Sequence, residues 1–193
     1  REAASLLSFV LERDRTFLHA HPEHILSDTE LNAFQKAVNR RSEREPLQYI
    51  TGRQEFWRLE FIVTPDVLIP RPETEILVEA AIDLLDGLAS PRFCGMGTGS
   101  GCIAVSILHA VKGACAIATD ISAAALLVAG QNAHRHGVMD RLELVNASIF
   151  DTVTGRFDLI VSNPPYVSDA EIASLQPEVQ DHEPFIALSG GSN

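Results

Sequence analysis

A short apolar run, Asp158-Leu159-Ile160-Val161-Ser162, stops abruptly at Asn163-Pro164-Pro165-Tyr166. It reads as a buried strand that delivers a rigid polar tip. Two prolines cannot continue a sheet, and the residue before a proline is pushed towards an extended backbone, so Asn163 is presented at a fixed angle beyond the strand. Pro164 has no N–H, but its carbonyl is free to accept. With the side-chain oxygen of Asn163 it offers two neighbouring acceptors, which suit a planar –NH2 group, and the ring of Tyr166 can stack on the same group. Holding both hydrogens leaves the nitrogen electrons aimed out of plane at an electrophile, as alkylation of a weakly nucleophilic amide requires. Adenine and glutamine both carry such a group, so the tip alone leaves the acceptor open.

Upstream, Arg92-Phe93-Cys94-Gly95-Met96-Gly97-Thr98-Gly99-Ser100-Gly101 leads into the apolar run Cys102, Ile103, Val105, Ile107, Leu108. This is the pattern of strand, glycine-rich turn and helix, in which the backbone comes close to a ligand at a helix N-terminus. The spacing Gly97-x-Gly99-x-Gly101 is neither the dinucleotide fingerprint nor a P-loop, which points to a nucleoside cofactor without a dominant polyphosphate. About twenty residues on, Ala114–Thr119 ends in Asp120, placed to accept from ribose hydroxyls. A third strand is expected at Leu142–Val145, ending near Asn146-Ala147-Ser148-Ile149-Phe150, with a helix from Ser122 to Ala133 between it and the second. Strands alternating with helices predict an α/β, doubly wound sheet with the candidate functional groups at the strand C-termini.

The N-terminal part differs in texture. Leu6, Leu7, Val10 and Leu11 recur at helical spacing, and Ser27 or Asp28 can cap a helix carrying Leu31, Phe34 and Val38. His19, His21 and His24 fall at an expected turn between helices and read as surface or capping residues rather than metal ligands. From Pro46, Leu47–Gly52 and Glu55–Val63 read as two β-rich segments around a glycine turn, a hairpin. Val67-Leu68-Ile69-Pro70-Arg71-Pro72-Glu73-Thr74-Glu75 then forms a stiff polar loop before a helix that starts near Pro72 or Thr74 and ends before Gly87. The resulting division is 1–45 helical, 46–70 hairpin linker, and 71–193 the α/β domain.

Composition narrows the function classes. The 193 residues are 46% hydrophobic, enough for a real core, and have a net charge of −11. Residues 1–55 hold eight Lys/Arg against nine Asp/Glu, and the remainder seven against seventeen, so the acid excess lies in the C-terminal part. That balance argues against broad binding to a nucleic-acid backbone. No apolar stretch is long enough to span a bilayer, and Arg1-Glu2 does not open a signal peptide. Cys94, Cys102 and Cys115 are odd in number, lie in apolar sequence and lack zinc spacing, which suits a reducing cytosol.

The glycine loop, the acidic end of the next strand and the Asn-Pro-Pro-Tyr tip, in that order, resemble a class I S-adenosylmethionine-dependent methyltransferase acting on an exocyclic or amide nitrogen. Pro46–Gly52, Glu55-Phe56-Trp57, Ile69–Glu75 and Glu183-Pro184-x-x-Ala187-Leu188-x-Gly190-Gly191 narrow the resemblance to the HemK/PrmC family of release factor glutamine N5-methyltransferases. The resemblance implies a Rossmann-like catalytic domain behind a small helical domain that engages peptide chain release factors, with transfer to the glutamine of their Gly-Gly-Gln loop. It also implies S-adenosyl-L-methionine as cofactor, no metal, a monomer in the cytoplasm, and neither membrane nor direct nucleic-acid contact. Gly97, Thr98, Gly99, Gly101, Asp120 and Asn163 would meet the cofactor. Asn163, Pro164, Pro165 and Tyr166 would hold the glutamine for transfer, with Arg71 and Pro72 beside the substrate.

Three departures from the family pattern stand out. Gly95 replaces an acidic residue two places before the loop, and Ser148 replaces one on the adenine side. The chain also closes at Gly190-Gly191-Ser192-Asn193 after four expected strands, which leaves the Asn-Pro-Pro-Tyr strand at a sheet edge and suggests a C-terminally incomplete domain. A base-directed methyltransferase, a methyltransferase for another protein glutamine and an inactive binding fragment are the alternatives.

Overall fold

The structure is a computed structural model that describes residues 2–149, 151 and 153–192. Arg1, Phe150 and Asn193, which enter the sequence reading, lie outside the described residues. In chain order the elements are α1 (Glu2–Leu11), α2 (Arg15–Ala20), α3 (Asp28–Ser42), α4 (Leu47–Thr51), β1 (Arg53–Phe56), β2 (Leu59–Ile62), α5 (Glu75–Leu85), β3 (Arg92–Met96), α6 (Cys102–Ala110), β4 (Cys115–Asp120), α7 (Ala123–Arg135), β5 (Leu142–Asn146), β6 (Leu159–Ser162), β7 (Val167–Ser168), α8 (Asp169–Ile172), α9 (Pro177–Gln180), α10 (Phe185–Leu188) and β8 (Ser189–Gly191).

The main sheet is parallel, in the order β5-β4-β3-β6. The chain moves outward from β3 through β4 to β5, then returns to the other side of β3 with β6. Strand order reverses at β3, which opens a crevice beyond its C-terminal end where such sheets bind ligands. β6 is the edge strand, as the sequence implies, and Ile160 on it is exposed. Phe93, Val105, Ile107, Leu108 and Val161 are buried in the largest apolar cluster, which Phe56 and Phe61 of the β1–β2 hairpin join. Each strand of the hairpin thus buries an aromatic ring in the core of the α/β part.

The N-terminal helices form a bundle. Ser27 caps α3 in a reciprocal capping box with Glu30, which satisfies two otherwise orphaned donors. Leu6, Ala37 and Ile50 are buried together, with Val10, Phe34, Val38 and Leu47 packed around them; Leu31 is exposed. His21 and His24 stack their rings near Phe17. No described helix is long and apolar enough to cross a membrane.

Two sequence expectations are corrected. Leu47–Gly52 is not a strand: Leu47–Thr51 is helical, with Gly52 as its left-handed cap at φ 70°. Leu47 and Ile50 give this short helix an apolar contact with the bundle, and that contact overrides the β propensity of Tyr49, Ile50 and Thr51. The hairpin lies instead within Arg53–Ile62 and turns at Trp57 and Arg58, both with positive φ (51° and 56°). Cys94 and Cys102 are buried, but Cys115 is exposed, contrary to the apolar setting expected of all three.

An ionic contact joins the bundle to the C-terminal segment. Arg41 and Arg44 each lie 3.2 Å from Glu178 Oε1 on α9, Arg41 also reaches Glu2 at 2.9 Å, and His182 Nε2 lies 3.3 Å from the Glu43 carbonyl. Hydrogen bonding to the backbone N–H of Glu178, then Arg44 and Arg41, hold the Glu178 carboxyl below the usual carboxylate range. A depressed folded-state pKa contributes stability that is complete above the unfolded value, about 4.3 for glutamate, and is lost as pH falls through the folded value. The α9–bundle contact is therefore expected to hold at neutral pH and loosen only in acid. Amide exchange along α9 measured from pH 6 to pH 3 checks this, and Glu178→Gln is expected to flatten the profile.

Candidate functional site

The crevice beyond the sheet holds two cavities, of about 480 and 660 Å3. Both are in the size range of ligand sites. Met96 and Gly97 at the end of β3, Asp120 at the end of β4, Ser148 after β5 and Asn163 after β6 line the first. Asp66, Val67 and Leu68 form its far wall, and Ile121, Ala125, Ala147 and Ile149 give it an apolar side. Arg71, Glu73 and Thr74, with Ile76, Leu77 and Ala80 of α5, line the second on one side; Tyr166, Val167, Leu175 and Val179 line it on the other. Ser162, Asn163, Pro164 and Pro165 line both. The polar tip foreseen from the sequence is the partition between two chambers.

The glycine loop is shaped by backbone demands. Gly97, Gly99 and Gly101 have φ of 62°, 52° and 80°, a region in which a Cβ is strained. At Gly101 a Cβ would also stand 3.1 and 3.2 Å from Ala129 Cβ and Cα, so the glycine lets α7 close against the start of α6. Asp120 fixes the same loop: its Oδ2 accepts from Gly99 N–H at 2.8 Å and its Oδ1 from Ser122 N–H at 2.9 Å. Each carboxylate oxygen keeps a second lone pair, so Asp120 can still accept from a vicinal diol. A close glycine backbone, a carboxylate with spare acceptor capacity and an apolar wall for a flat base fit an adenosine-type cofactor without a phosphate cradle. Thr98 serves the loop through its backbone, donating to the Thr119 carbonyl at 2.9 Å; neither Thr98 nor Gly101 lines the cavity.

Asn163 is partly buried, and its Nδ2 donates to Thr74 Oγ1 at 3.3 Å. Asn163 Oδ1 and the Pro164 carbonyl accept no hydrogen bond among the described residues. Both oxygens thus lack a protein donor among the described residues. Tyr166 is 79% exposed and lines only the second cavity. The backbone of the tip is buttressed from behind by Gly190, where a Cβ would come within 3.0 Å of Tyr166 Cα and 3.2 Å of the Pro165 carbonyl.

Arg71 and Pro72, singled out beside the substrate, separate. Pro72 opens a short 3-10 turn ahead of α5 and lines neither cavity. Arg71 lines the second, but its Nη2 is bound at 2.5 Å to Glu183 Oε1, whose side chain is 1% exposed. Glu183 Oε2 accepts from Ile69 N–H at 3.2 Å. Thr74, Glu183 and Asn132 are the supporting residues that sequence reasoning did not assign. Asn132 is fully buried: its Oδ1 accepts from Ile62 N–H at 2.7 Å, and its Nδ2 donates to the Ile62 carbonyl at 2.9 Å and the Ser100 carbonyl at 2.8 Å.

Gly95 does not line the cavity. It lies buried within β3, where a Cβ would make ordinary contact with Ala104 Cβ at 3.8 Å and Ala118 Cβ at 3.9 Å. With no positive φ to preserve, Gly95→Ala is expected to stabilise the fold by about 0.5–1 kcal/mol by removing glycine's unfolded-state freedom. A higher urea midpoint at unchanged slope is the readout, and a lower one would show that the site is already full. Ser148, the other departure, does line the first cavity.

Comparison with known proteins agrees with this geometry. The family model for the PrmC N-terminal domain matches residues 1–52, and that for the methyltransferase small domain matches residues 73–178. The release factor glutamine methyltransferase of Geobacter sulfurreducens is 45% identical over 193 residues, covering 100% of this chain and 66% of the relative. Its namesake from Chlorobaculum tepidum is 45% identical over 196 residues, covering 96% of this chain and 67% of the relative. The chain thus spans about two thirds of the length of the curated relatives it matches. Among solved structures, the hMettl16 catalytic domain aligns with a TM-score of 0.55 at 18% identity, covering 68% of this chain and 50% of that one, a likeness of fold. With a reversed parallel sheet, a glycine loop clasped by Asp120 and relatives that align along nearly all of its length, the chain belongs to the release factor glutamine methyltransferase (HemK/PrmC) family of class I S-adenosylmethionine-dependent methyltransferases.

Proposed function

We propose that this chain carries the substrate-recognition and cofactor-binding parts of a cytoplasmic enzyme that methylates the side-chain amide N5 of the glutamine in the Gly-Gly-Gln motif of peptide chain release factors. The observation that carries the reading is the partition: Asn163, Pro164 and Pro165 separate a cavity suited to a nucleoside from a second one open to a protein side chain. S-adenosylmethionine, when bound, supplies an electrophilic methyl group on a sulfonium.

Gly97, Gly99 and Asp120 would hold that cofactor by backbone approach and ribose contacts, with Ile121 and Ala125 against the base and Ser148 as the polar group nearby. Asn163 Oδ1 and the Pro164 carbonyl accept the two amide hydrogens of the glutamine from the far side of the partition. This fixes the amide plane so that the nitrogen electrons, which lie out of that plane, face the first cavity, and positioning supplies much of the rate. As the N–C bond forms and the methyl's bond to sulfur breaks, its electron pair staying on what would become a neutral thioether, positive charge grows on the nitrogen, its hydrogens become more acidic, and both acceptors bind more strongly than in the ground state. One of those protons then passes to solvent water, which reaches the second cavity beside the exposed Tyr166. The helical bundle would present the release factor, coupled to the cleft through Glu178 beside Val179.

The test is transfer of labelled methyl from S-adenosylmethionine to a release factor, with its Gly-Gly-Gln→Gly-Gly-Ala variant as control. Label on the first and not on the second supports the reading. Equal label on both, or label on DNA or RNA instead, would sink it.

A further inference from the structure

We propose that Asn132 is a positioning residue of the cofactor site, a bracket that makes the β1–β2 hairpin and the glycine loop move as one body. The inference goes beyond the contacts of the site itself, because Asn132 lines neither cavity; it rests on the reading that the first cavity holds S-adenosylmethionine.

All the hydrogen-bonding capacity that Asn132 spends is spent on backbone. Ile62 closes β2 opposite Arg53, and both its N–H and its carbonyl turn away from β1 to Asn132, which replaces a missing strand neighbour. The remaining Nδ2 hydrogen goes to the carbonyl of Ser100, inside the glycine loop. Hairpin and loop have no such bond to each other among the described residues, and this amide binds both directly, whereas Arg135 and His136 tie Glu60 of the hairpin to the end of α7 only.

The helix that carries Asn132 fixes the loop at two further points. At its N-terminus Ser122 and Gly99 share the Asp120 carboxylate. One turn before Asn132, Ala129 fills the space in front of Gly101. Residues 99, 100 and 101 are thus each held by α7 or by the residues that lead into it. A shift of the hairpin that moves Ile62 must therefore either break a buried amide with no water to replace its partners or carry Ser100 with it. Coupling of this kind links two sites through a rigid element and runs equally in both directions. Substrate engagement that displaces the hairpin would alter cofactor affinity, and cofactor binding would steady the hairpin.

The experiment combines amide exchange followed by NMR with calorimetric titration of S-adenosylhomocysteine into the whole chain. In the wild type, S-adenosylhomocysteine is expected to slow local exchange at Ile62 as well as at Gly99 and Gly101, with Leu31 in the bundle unchanged. Asn132→Ala is expected to weaken S-adenosylhomocysteine binding about tenfold, within the usual span of coupling energies, and to speed exchange at Ile62 and Gly101 together without ligand. Leu85→Ala, a core truncation in α5, serves as a destabilised control that keeps wild-type affinity. Wild-type affinity in folded Asn132→Ala, or faster exchange confined to Ile62, overturns the proposal. A wild type that binds no S-adenosylhomocysteine counts against the cofactor reading, and the ligand-free exchange comparison still decides the coupling. Should Asn132→Ala not fold, the wild-type pattern decides: protection that reaches Ile62 supports the bracket, and protection that ends at the glycine loop overturns it.

Discussion

Asn163→Ala is expected to lower methyl transfer to the release factor by about 10²–10³-fold, the usual cost of deleting one preorganised group aimed at developing charge. The loss should appear mainly in kcat. Asn163 Oδ1 meets a nearly neutral amide in the ground state and an increasingly acidic N–H in the transition state, so its hydrogen bond strengthens as the reaction proceeds. Two features of the structure keep the effect local. The chain has already left β6 at Ser162, so the side chain supports no sheet contact, and its Thr74 partner is itself solvent-adjacent on the second cavity. Asn163→Asp retains an acceptor at this position but cannot donate to Thr74 Oγ1, and is expected to fall between wild type and alanine. The measurements are kcat and KM for the release factor, with S-adenosylhomocysteine affinity and thermal midpoint as controls. Unchanged kcat in a folded alanine variant would remove Asn163 from the reaction and leave the partition a structural turn.

The catalytic half of the fold is legible in the sequence because its signals are local and mutually consistent. Leu159–Val161 is apolar and closed by prolines, the segment before Asp120 is apolar and ends in a charge, and Gly97 to Gly101 can only be a turn. The hairpin is less legible for an equally physical reason. A two-residue hairpin turn needs left-handed residues, usually Asn or Gly, and here Trp57 and Arg58 fill both places. The conformation is held from outside: Trp57 N–H donates to Glu75 Oε1 at 2.8 Å, and Trp57 packs against the main core. No local pattern announces a turn that a distant carboxylate stabilises. Asn132 is illegible in the same way, since one asparagine in an alanine-rich helix carries no sign of the two backbone segments it joins. The order of the motifs points to the site, whereas the supporting bonds of Thr74, Asn132 and Glu183 run between residues 32 to 114 apart and emerge only once the chain is folded.

The Arg71–Glu183 pair is the part of that support with the largest expected effect on stability. Glu183 sits just before Pro184 and the turn that brings Gly190 against the Asn-Pro-Pro-Tyr backbone, and its carboxylate reaches across to Arg71 and to Ile69 N–H on the loop ahead of α5. Tyr49 is near enough that burial, with the Glu183 charge second, raises its phenol well above the ordinary range, so its hydroxyl stays a donor, to the Val67 carbonyl at 2.7 Å. The loop from Val67 to Arg71, which walls both cavities, is thus tied down by two buried polar groups. Arg71→Ala leaves a carboxylate with a 1% exposed side chain facing only one N–H. Removing one partner of a buried pair costs about 3–5 kcal/mol, and the partial exposure of Arg71 places the expected loss near the lower figure. Glu183→Ala removes the charge but strands Ile69 N–H and leaves the guanidinium free to reach water, so its cost is expected to be smaller than that of Arg71→Ala. The double variant Arg71→Met/Glu183→Leu, which buries no charge, should recover much of the stability. It should not recover loop order, because apolar side chains cannot replace a directed bond to Ile69. Urea denaturation of the three variants, read with amide exchange at Ile69, checks that ordering. Arg71→Ala as stable as the wild type would mean that the Arg71–Glu183 contact stabilises nothing and that Tyr49 and the Glu183–Ile69 bond suffice to hold the loop.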